Sequence, residues 1–241
     1  MLRKWRSLAK SRALYTEILP ENPQQGIRAK ESALLIAVID INISNIGSVM
    51  EAFQRIGLKT QLTSAAADVG NADAIILPGV GSFRDGMARL GELGLIDPLR
   101  KAASDGKPIF GICLGMQLMA ETGEEFGAHK GLGLLPGRVV RLPDEPSVRI
   151  PNIGWCDVEP TRHSALFPES APARSFYFVH SFHLAPSDPK IVSAVVKTGE
   201  SEIVAAIEHR NLSAVQFHPE KSQDAGLDLL SRLAAQVGAF A

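Results

Sequence analysis

Three short, wholly apolar runs most constrain how this 241-residue chain can fold. They cover residues 34–39, 74–77 and 108–110, and each is followed by a polar or glycine-rich turn. A continuous apolar run is typical of a strand that is buried on both faces. Helix-like segments, such as residues 45–56 and 83–90, alternate with these runs. The sequence therefore predicts an α/β fold with a mainly parallel central sheet and helices on both faces.

The second half of the chain has a different pattern. Residues 133–142, 174–186 and 190–220 predict short strands and hairpins, and a last helix is predicted over residues 222–237. Because there is no internal repeat, we predict a single domain over residues 32–241. Residues 1–31 begin with a basic segment and continue into a linker-like stretch, so we predict an N-terminal extension there.

Composition narrows the classes of function. The formal net charge of −1 gives no electrostatic reason to expect nucleic acid or a membrane surface as a partner. No apolar stretch approaches the roughly 18–20 residues that span a bilayer. With only two cysteines, Cys113 and Cys156, the sequence predicts no disulfide framework and a reducing, cytoplasmic location, with Cys156 as inert packing. His129 and His163 lie in polar loops without metal-ligand spacing, so we predict no metal site.

Cys113 lies between two glycines, in the sequence G-I-C-L-G, where an apolar run meets a helix-favouring stretch. One interpretation is a tight turn filled by a small apolar side chain. The other is a nucleophile elbow that holds out a thiol on a strained turn. Asp40, the P-G-V-G loop at residues 78–81 and Cys113 all follow predicted strands, at the sheet edge where α/β proteins bind ligands. That coincidence favours the second interpretation.

A nucleophilic cysteine needs a base, and His218 is the best placed of six histidines. It ends an apolar run and begins H-P-E. Residues two apart in extended chain face the same way, so Glu220 can orient the imidazole and stabilise its charged form. The alternative is a solvated histidine at a strand end. The main-chain N–H of Leu114 and the glycine loop at residues 78–81 are candidate oxyanion donors.

Three further polar residues have less distinctive surroundings. Gln117 lies one helical turn after Cys113, and it either contacts substrate or forms part of a pocket wall. Glu125 begins a loop, where most acidic residues are solvated. His180 follows an aromatic run and either lines the pocket or lies at the edge of the core.

Six segments make the chain resemble a known family. The region from Leu34 to the C-terminus resembles class I glutamine amidotransferases, and most of all the glutaminase subunits of imidazole glycerol phosphate synthases. G-x-C-x-G with a distant H-P-E marks the superfamily, and P-G-V-G, N-I-G-W and H-P-E-K-S narrow the resemblance to these subunits. The segments are, in chain order, ILPGVGSF, GKPIFGICLGMQL, GLGLLPGRVVRL, IPNIGWC, FYFVHSF and VQFHPEKSQ.

This resemblance implies a flavodoxin-like three-layer α/β sandwich and hydrolysis of L-glutamine to glutamate and ammonia without a cofactor. It implies a Cys113–His218–Glu220 triad, with the amides of Val80 and Leu114 as oxyanion donors. A non-catalytic relative would have lost a triad residue, and all three are present. The positions that hold glutamine in the family are here Gly79, Gly81, Gln117, Glu125, His180, Ser181 and Phe182.

The resemblance also implies a partner. Ammonia would pass to a separate (β/α)8-barrel cyclase, in a heterodimer that makes imidazole glycerol phosphate and AICAR in histidine biosynthesis. Asn45, Trp155 and Lys221 would face that partner. Where the family carries D-Y-G-x-G-N, residues 40–45 read D-I-N-I-S-N, and Cys156 stands where the family has asparagine. An alternative is therefore a paralogous glutaminase that supplies ammonia for amidination of a sugar in surface-polysaccharide biosynthesis.

Overall fold

A computed structural model describes residues 34–42, 45–146, 148–168 and 174–240 of the chain. The extension and linker predicted over residues 1–31 lie outside these residues, as does the predicted start of the domain at residue 32. Two residues of the unusual loop, 43 and 44, also lie outside them.

The described residues form strands, α-helices and two short 3-10 turns. The strands are β1 (Ile36–Ile39), β2 (Thr60–Thr63), β3 (Ala74–Gly79), β4 (Ile109–Cys113), β5 (Ala120–Gly123), β6 (His129–Lys130), β7 (Leu135–Arg141), β8 (Asn152–Pro160), β9 (Arg174–His180), β10 (Phe182–Pro186), β11 (Val192–Thr198), β12 (Ser201–His209) and β13 (Leu212–Val215). The α-helices are α1 (Ile46–Arg55), α2 (Ala66–Asn71), α3 (Phe83–Glu92), α4 (Ile96–Ser104), α5 (Leu114–Leu118) and α6 (Gln223–Phe240). The 3-10 turns are Pro189–Ile191 and Pro219–Lys221.

A nine-stranded sheet in the order β2-β1-β3-β4-β13-β12-β11-β8-β9 forms the centre. Its first five strands pair in parallel, and each of the remaining pairings is antiparallel. Three of the parallel strands, β1, β3 and β4, overlap the three apolar runs from which the fold was predicted. The predicted α/β fold class is therefore confirmed, with an antiparallel extension that the second half of the chain supplies.

The predicted strands of residues 174–186 do not form a hairpin. β9 is the edge strand of the large sheet, whereas β10 pairs with β7 in a four-stranded sheet of order β10-β7-β5-β6. Ser181 is the single residue between them, so the chain crosses from one sheet to the other at this point. This crossing brings residues 180–182 next to α5, beside the strand ends described below.

Hydrophobic side chains pack on both faces of the large sheet. Alternate residues of β1 and β3, such as Ile76, pack with α1 and α6 in one buried cluster. Their neighbours, such as Ile75 and Leu77, pack with α3, α4, α5 and the small sheet in a second cluster. This two-sided burial explains why the strands read as continuous apolar runs. Among the described residues, no helix is both long enough and apolar enough to cross a membrane.

Local sequence explains several helix boundaries. Gly57 has φ +83°, which few other residues adopt, and it ends α1 as the sequence predicts. α3 begins after Ser82, whose hydroxyl accepts a hydrogen bond from Asp85 N at 3.1 Å. α5 is only five residues long, because the chain turns into β5 at Ala120.

Candidate active site

The carboxyl ends of three parallel neighbours, β3, β4 and β13, lie side by side. β3 pairs Gly79 with Cys113 of β4. On the other side of β4, Val215 of β13 pairs with Ile112, so the residues after Val215 continue past Cys113. The H-P-E segment begins three residues after Val215. Strand order alone therefore brings together two motifs that are about one hundred residues apart.

The turn after β4 has the geometry of a nucleophile elbow. Cys113 has φ +53° and ψ −109°, a strained conformation for a residue with a side chain. α5 starts immediately afterwards and presses against β3. A Cβ on Gly115 would lie 1.7 Å from the carbonyl oxygen of Leu77, and one on Gly79 would lie 3.0 Å from Leu114 Cβ. The close approach of α5 to β3 therefore requires glycine at position 115 and leaves little room for a side chain at position 79.

His218 and Glu220 form a buried pair. Nδ1 of His218 lies 2.7 Å from Oε1 of Glu220, and the two side chains are 2% and 3% exposed. Burial favours the neutral imidazole, but hydrogen bonding and charge from Cys113 and Glu220 outweigh it and raise the pKa of His218 from 6.5 to about 9. These surroundings therefore stabilise the imidazolium form, so the ring is a strong acceptor for a proton from the Cys113 thiol.

Cys113 and His218 lie within interaction range, because the thiol is one of the groups that raise the pKa of the imidazole. The thiol itself donates to the carbonyl oxygen of Val179 over 3.9 Å. Nε2 of His218 has no hydrogen-bond partner of regular geometry among the described residues. The buried ring nitrogen is thus left available to exchange a proton with the sulfur or with a bound molecule.

A cavity of about 390 Å³ opens next to the sulfur. Such a volume is in the range of small-molecule sites. Its lining comprises Val80, Gly81, Cys113, Leu114, Gln117, Glu125, Pro151, Val179, His180, Ser181, Phe182 and Lys221. All but Pro151 and Val179 are residues that the sequence analysis singled out. His218, Glu220, Gly79 and Asn45 border a second, smaller cavity that shares Val80 with the first.

His180 is held neutral and in one tautomer. Burial lowers the pKa of His180 from 6.5 to about 4. Its Nδ1 lies 2.9 Å from the carbonyl oxygen of Phe182, which can only accept, so Nδ1 carries the proton. Nε2 therefore accepts from the side-chain amide of Asn152 at 3.2 Å. Both ring nitrogens are thus used within the protein.

Comparison with known proteins identifies the family. The sequence profile described as "Glutamine amidotransferase class-I" matches residues 37–234. The chain belongs to the class I glutamine amidotransferase family. The family predicted from the sequence, and the prediction of an enzyme of this class, are confirmed.

Individual relatives agree with the profile. Imidazole glycerol phosphate synthase subunit HisH of Nostoc punctiforme is 42% identical over 204 residues, 84% of this chain and 96% of that protein. The subunit of the same name from Syntrophotalea carbinolica is 39% identical, over 81% of this chain and 97% of that protein.

Two solved structures share the fold at lower identity. A structure described as a glutamine amidotransferase has a TM-score of 0.65 at 20% identity, covering 85% of this chain and 97% of that one. PurLQS from Thermotoga maritima has a TM-score of 0.64 at 21% identity, covering 85% and 99%.

In this amidotransferase, two predicted glutamine-holding side chains besides His180 already make internal hydrogen bonds. Gln117 is buried, and its Nε2 donates to Phe182 O at 2.8 Å and to Gln216 Oε1 at 3.0 Å. Oε1 of Gln117 is the atom that its own hydrogen bonds leave for a ligand. Glu125 accepts from the N–H of Phe83 at 2.7 Å, which caps α3.

Two of the three predicted partner-facing residues of the amidotransferase, Trp155 and Lys221, lie on or next to β8 and β9. Ile153 and Trp155 of β8 are 55% and 49% exposed. The ring of Trp155 packs edge-on against Tyr177 of β9, and Nζ of Lys221 lies 5.8 Å from the Tyr177 ring centre. Asn45 is exposed before α1, where its amide donates to Ser48.

Sequence reasoning missed three polar residues next to the site: Asn152, Gln216 and Ser222. Gln216 contacts Cys113, and Asn152 contacts His180. Ser222 links the H-P-E turn to β9, because its hydroxyl donates to His218 O at 2.6 Å and accepts from Tyr177 N at 3.0 Å. Each lies inside a segment that carries the family resemblance, but its contact depends on strand register.

Cys156 differs from Cys113 in its surroundings. Burial raises the pKa of the Cys156 thiol, and the charge of Asp157 adds to this effect. Its Sγ donates to Asn152 Oδ1 over 3.7 Å. Across the described part of the chain, no three His, Cys, Asp or Glu side chains are grouped so that they could hold a metal ion.

Proposed function

We propose that this chain is the glutaminase subunit of an imidazole glycerol phosphate synthase. It would hydrolyse L-glutamine through Cys113, His218 and Glu220. The observation that carries the chemistry is the buried His218–Glu220 pair beside the strained Cys113 turn, at the edge of a cavity of about 390 Å³. The choice of synthase is supported by relatives of that name that are 39–42% identical.

The first half-reaction forms a thioester. Cys113 transfers its proton to Nε2 of His218, and the thiolate attacks the side-chain amide carbon of glutamine. The N–H groups of Val80 and Leu114 stabilise the oxyanion of the tetrahedral intermediate. Imidazolium then gives its proton to the amide nitrogen, the C–N bond breaks, and ammonia leaves. A pKa of about 9 keeps His218 protonated until this step.

The second half-reaction restores the enzyme. Neutral His218 takes a proton from water, and the resulting hydroxide attacks the γ-glutamyl thioester. Collapse of the second intermediate returns the proton to the sulfur and releases glutamate. Glu220, which is 3% exposed, keeps the imidazole oriented in both halves. The remaining contacts to glutamine would come from Gln117 Oε1 and from Gly79, Gly81, Glu125 and the chain at residues 180–182.

Ammonia would leave towards a (β/α)8-barrel cyclase that binds over β8 and β9. An exposed apolar pair, Ile153 and Trp155, supports this face as the interface. Lys221 and Val179 line the cavity next to the same face, so the exit is short. The cyclase would use the ammonia to make imidazole glycerol phosphate and AICAR in histidine biosynthesis. Both cysteines are free, which supports a cytoplasmic location.

The two free cysteines provide a matched test of the chemistry. We expect Cys113→Ala to abolish glutamate formation in the presence of the cyclase barrel, and Cys156→Ala to retain it. A diazoketone analogue of glutamine should add once to the wild-type chain, and peptide mass spectrometry should locate the addition at Cys113. Activity that survives Cys113→Ala, or labelling at Cys156 instead, would contradict the proposal.

The alternative acceptor is a sugar in surface-polysaccharide biosynthesis. The sequence D-I-N-I-S-N at residues 40–45 and Cys156 beside Trp155 favour it, because these segments would face the partner. Reconstitution separates the two acceptors. We expect the cyclase barrel to stimulate glutamine hydrolysis and to yield imidazole glycerol phosphate. Stimulation by a sugar amidotransferase, with none by the cyclase, would favour the alternative while leaving the glutaminase chemistry intact.

A further inference from the structure

Gln216 is a buried polar residue that the proposed reaction leaves without a role. It follows β13 directly, and the pairing of Val215 with Ile112 places it beside Cys113. The residue is fully buried, at 0% exposed. Its main-chain N–H donates to Ala205 O at 2.9 Å, so the backbone is fixed by β12. A buried amide side chain in this position needs hydrogen-bond partners.

The partners of Gln216 form a line of hydrogen bonds that ends at the sulfur. Nε2 of Gln117 donates to Phe182 O at 2.8 Å and to Gln216 Oε1 at 3.0 Å. Nε2 of Gln216 then donates to Cys113 Sγ at 3.7 Å. The two glutamines thus connect the main chain at residue 182 with the candidate nucleophile.

The orientation of both amides follows from the far end of this line. The carbonyl of Phe182 can only accept, so the atom of Gln117 that faces it must be the amide nitrogen. The second N–H of that nitrogen faces Gln216, which must therefore present its oxygen. The amide nitrogen of Gln216 is left to face the sulfur. This chain of contacts directs an N–H group of Gln216 at Sγ of Cys113. It also decides which side-chain atom of Gln216 is oxygen and which is nitrogen, an assignment that is otherwise ambiguous for amides.

We propose that Gln216 is a positioning residue that stabilises the thiolate of Cys113 by donating a hydrogen bond to the sulfur. This rests on the proposed role of Cys113 as nucleophile. In the thiol form, Sγ donates its proton to Val179 O. Once that proton moves to Nε2 of His218, the sulfur becomes an anion that can only accept. A hydrogen bond to an anion is roughly twice as strong as one between neutral groups. Gln216 keeps all its own protons throughout.

Alkylation of Cys113 measures this effect directly. In the full-length chain, the rate of modification of Cys113 by iodoacetamide is followed against pH by peptide mass spectrometry, with Cys156 as an internal reference. Gln216→Met keeps the side-chain length and removes the donor. We expect its alkylation profile to move to higher pH, with about tenfold slower modification at pH 7, the change that a bond of about 1.5 kcal/mol would give. With the barrel partner, kcat should fall while KM for glutamine stays unchanged.

A second variant guards against loss of folding. Gln216→Leu also removes the donor, adds no charge and no new donor, and should move the profile in the same direction. Thermal melting identifies which variants fold. The alkylation profile of either folded variant is enough to test whether Gln216 stabilises the thiolate. A lowered kcat with an unshifted profile would reduce Gln216 to a packing role and overturn the inference. If Cys113→Ala remained active, the proposed function would fail first, independently of Gln216.

Discussion

The nucleophile wall of the pocket, residues 79–81 and 113–117, is fixed by close contact between backbones, whereas the base wall, residues 180–182 and 218–222, is fixed mainly by hydrogen bonds. The first wall belongs to the parallel half of the large sheet, where strands are short and buried on both faces. The second belongs to the antiparallel edge and to the turn that follows β13.

Two residues illustrate the difference. Gly115 lets α5 meet the carbonyl of Leu77 so closely that a single added carbon would lie 1.7 Å from it. Ser222, on the base wall, uses its hydroxyl to bind both the carbonyl of His218 and the N–H of Tyr177. Closely packed central elements cannot separate to admit an added carbon, whereas loss of one hydroxyl removes its hydrogen bonds and leaves the backbone in place. The nucleophile wall should therefore be much the less tolerant of change.

Gly115→Ala is expected to have the largest effect. The added carbon meets a backbone carbonyl between two central elements, so its cost should exceed the roughly 1–3 kcal/mol that is typical of overpacking. Urea unfolding, or soluble yield where unfolding is not measurable, checks this. Gly47→Ala on α1 is the matched control, because its Cβ would meet nothing within 4 Å. It should be stabilising by about 0.5–1 kcal/mol.

Gly226→Ala makes this test sharper. Gly226 lies on α6, and its Cβ would lie 1.8 Å from the carbonyl of Pro219 in the base wall. Both glycines lie against a carbonyl, but α6 covers one face of the large sheet, whereas α5 contacts strands of both sheets. The helix α6 should therefore shift more readily than α5. We expect Gly226→Ala to fold and to lose mainly kcat. Equal loss of stability in Gly115→Ala and Gly226→Ala would contradict the distinction between the walls.

The same distinction explains how much of the fold the sequence predicts. The central parallel strands β1, β3 and β4 are recognisable because apolar runs form most of them, as with Ile36–Ile39. In contrast, β8 alternates between exposed and partly exposed residues over much of its length. It pairs with the edge strand β9, where burial restricts the choice of side chains less than in the centre of the sheet. The separation of β9 from β10 depends on one residue, Ser181, and no periodicity marks it.

The candidate site divides in a similar way. The three triad residues could be predicted because each lies in a short motif whose neighbouring residues indicate its chemistry. They are Cys113, His218 and Glu220. Gln216 could not, since its contact with Cys113 joins residues 103 apart in the sequence and exists only through the register of β13 on β4. Asn152 is similar, because its amide reaches His180 across the pairing of β8 with β9.

The base wall should also make the free energy of unfolding depend on pH in two opposite directions, an acid arm below pH 6.5 and an alkaline arm above it. Unfolded histidine titrates near 6.5, whereas folded His180 has a pKa of about 4. Between these values the unfolded chain binds a proton that the folded chain excludes, so stability falls as pH drops from 6.5 to 4. Folded His218 has a pKa of about 9 and keeps a proton that the unfolded chain loses, so stability also falls as pH rises from 6.5 to 9. Each arm is worth about 3 kcal/mol at most.

Urea unfolding at a series of pH values separates the two arms. We expect His180→Gln to flatten the acid arm and His218→Gln to flatten the alkaline arm. The effect of His218→Gln on the acid arm should be small, because the charge of His218 is the smallest of the causes that lower the pKa of His180. The nucleophile wall has no counterpart to these histidines, so Cys113→Ala should leave the acid arm unchanged. An acid arm that persists in His180→Gln would show that other groups carry it.

Ser222→Ala is expected to have the smallest effect of these changes. It leaves the N–H of Tyr177 without its acceptor, which should cost about 1–3 kcal/mol in unfolding free energy. The turn itself should persist, because Lys221 N still donates to His218 O at 3.1 Å. A few-fold loss of kcat is expected, since His218 is then less firmly attached to β9.

Ser231→Ala is the control. Its hydroxyl bonds Leu227 O on the exposed side of α6, and it should change stability by less than about 0.5 kcal/mol. If Ser222→Ala were as mild as Ser231→Ala, the base wall would be held by backbone contact as well, and the contrast between the two walls would disappear.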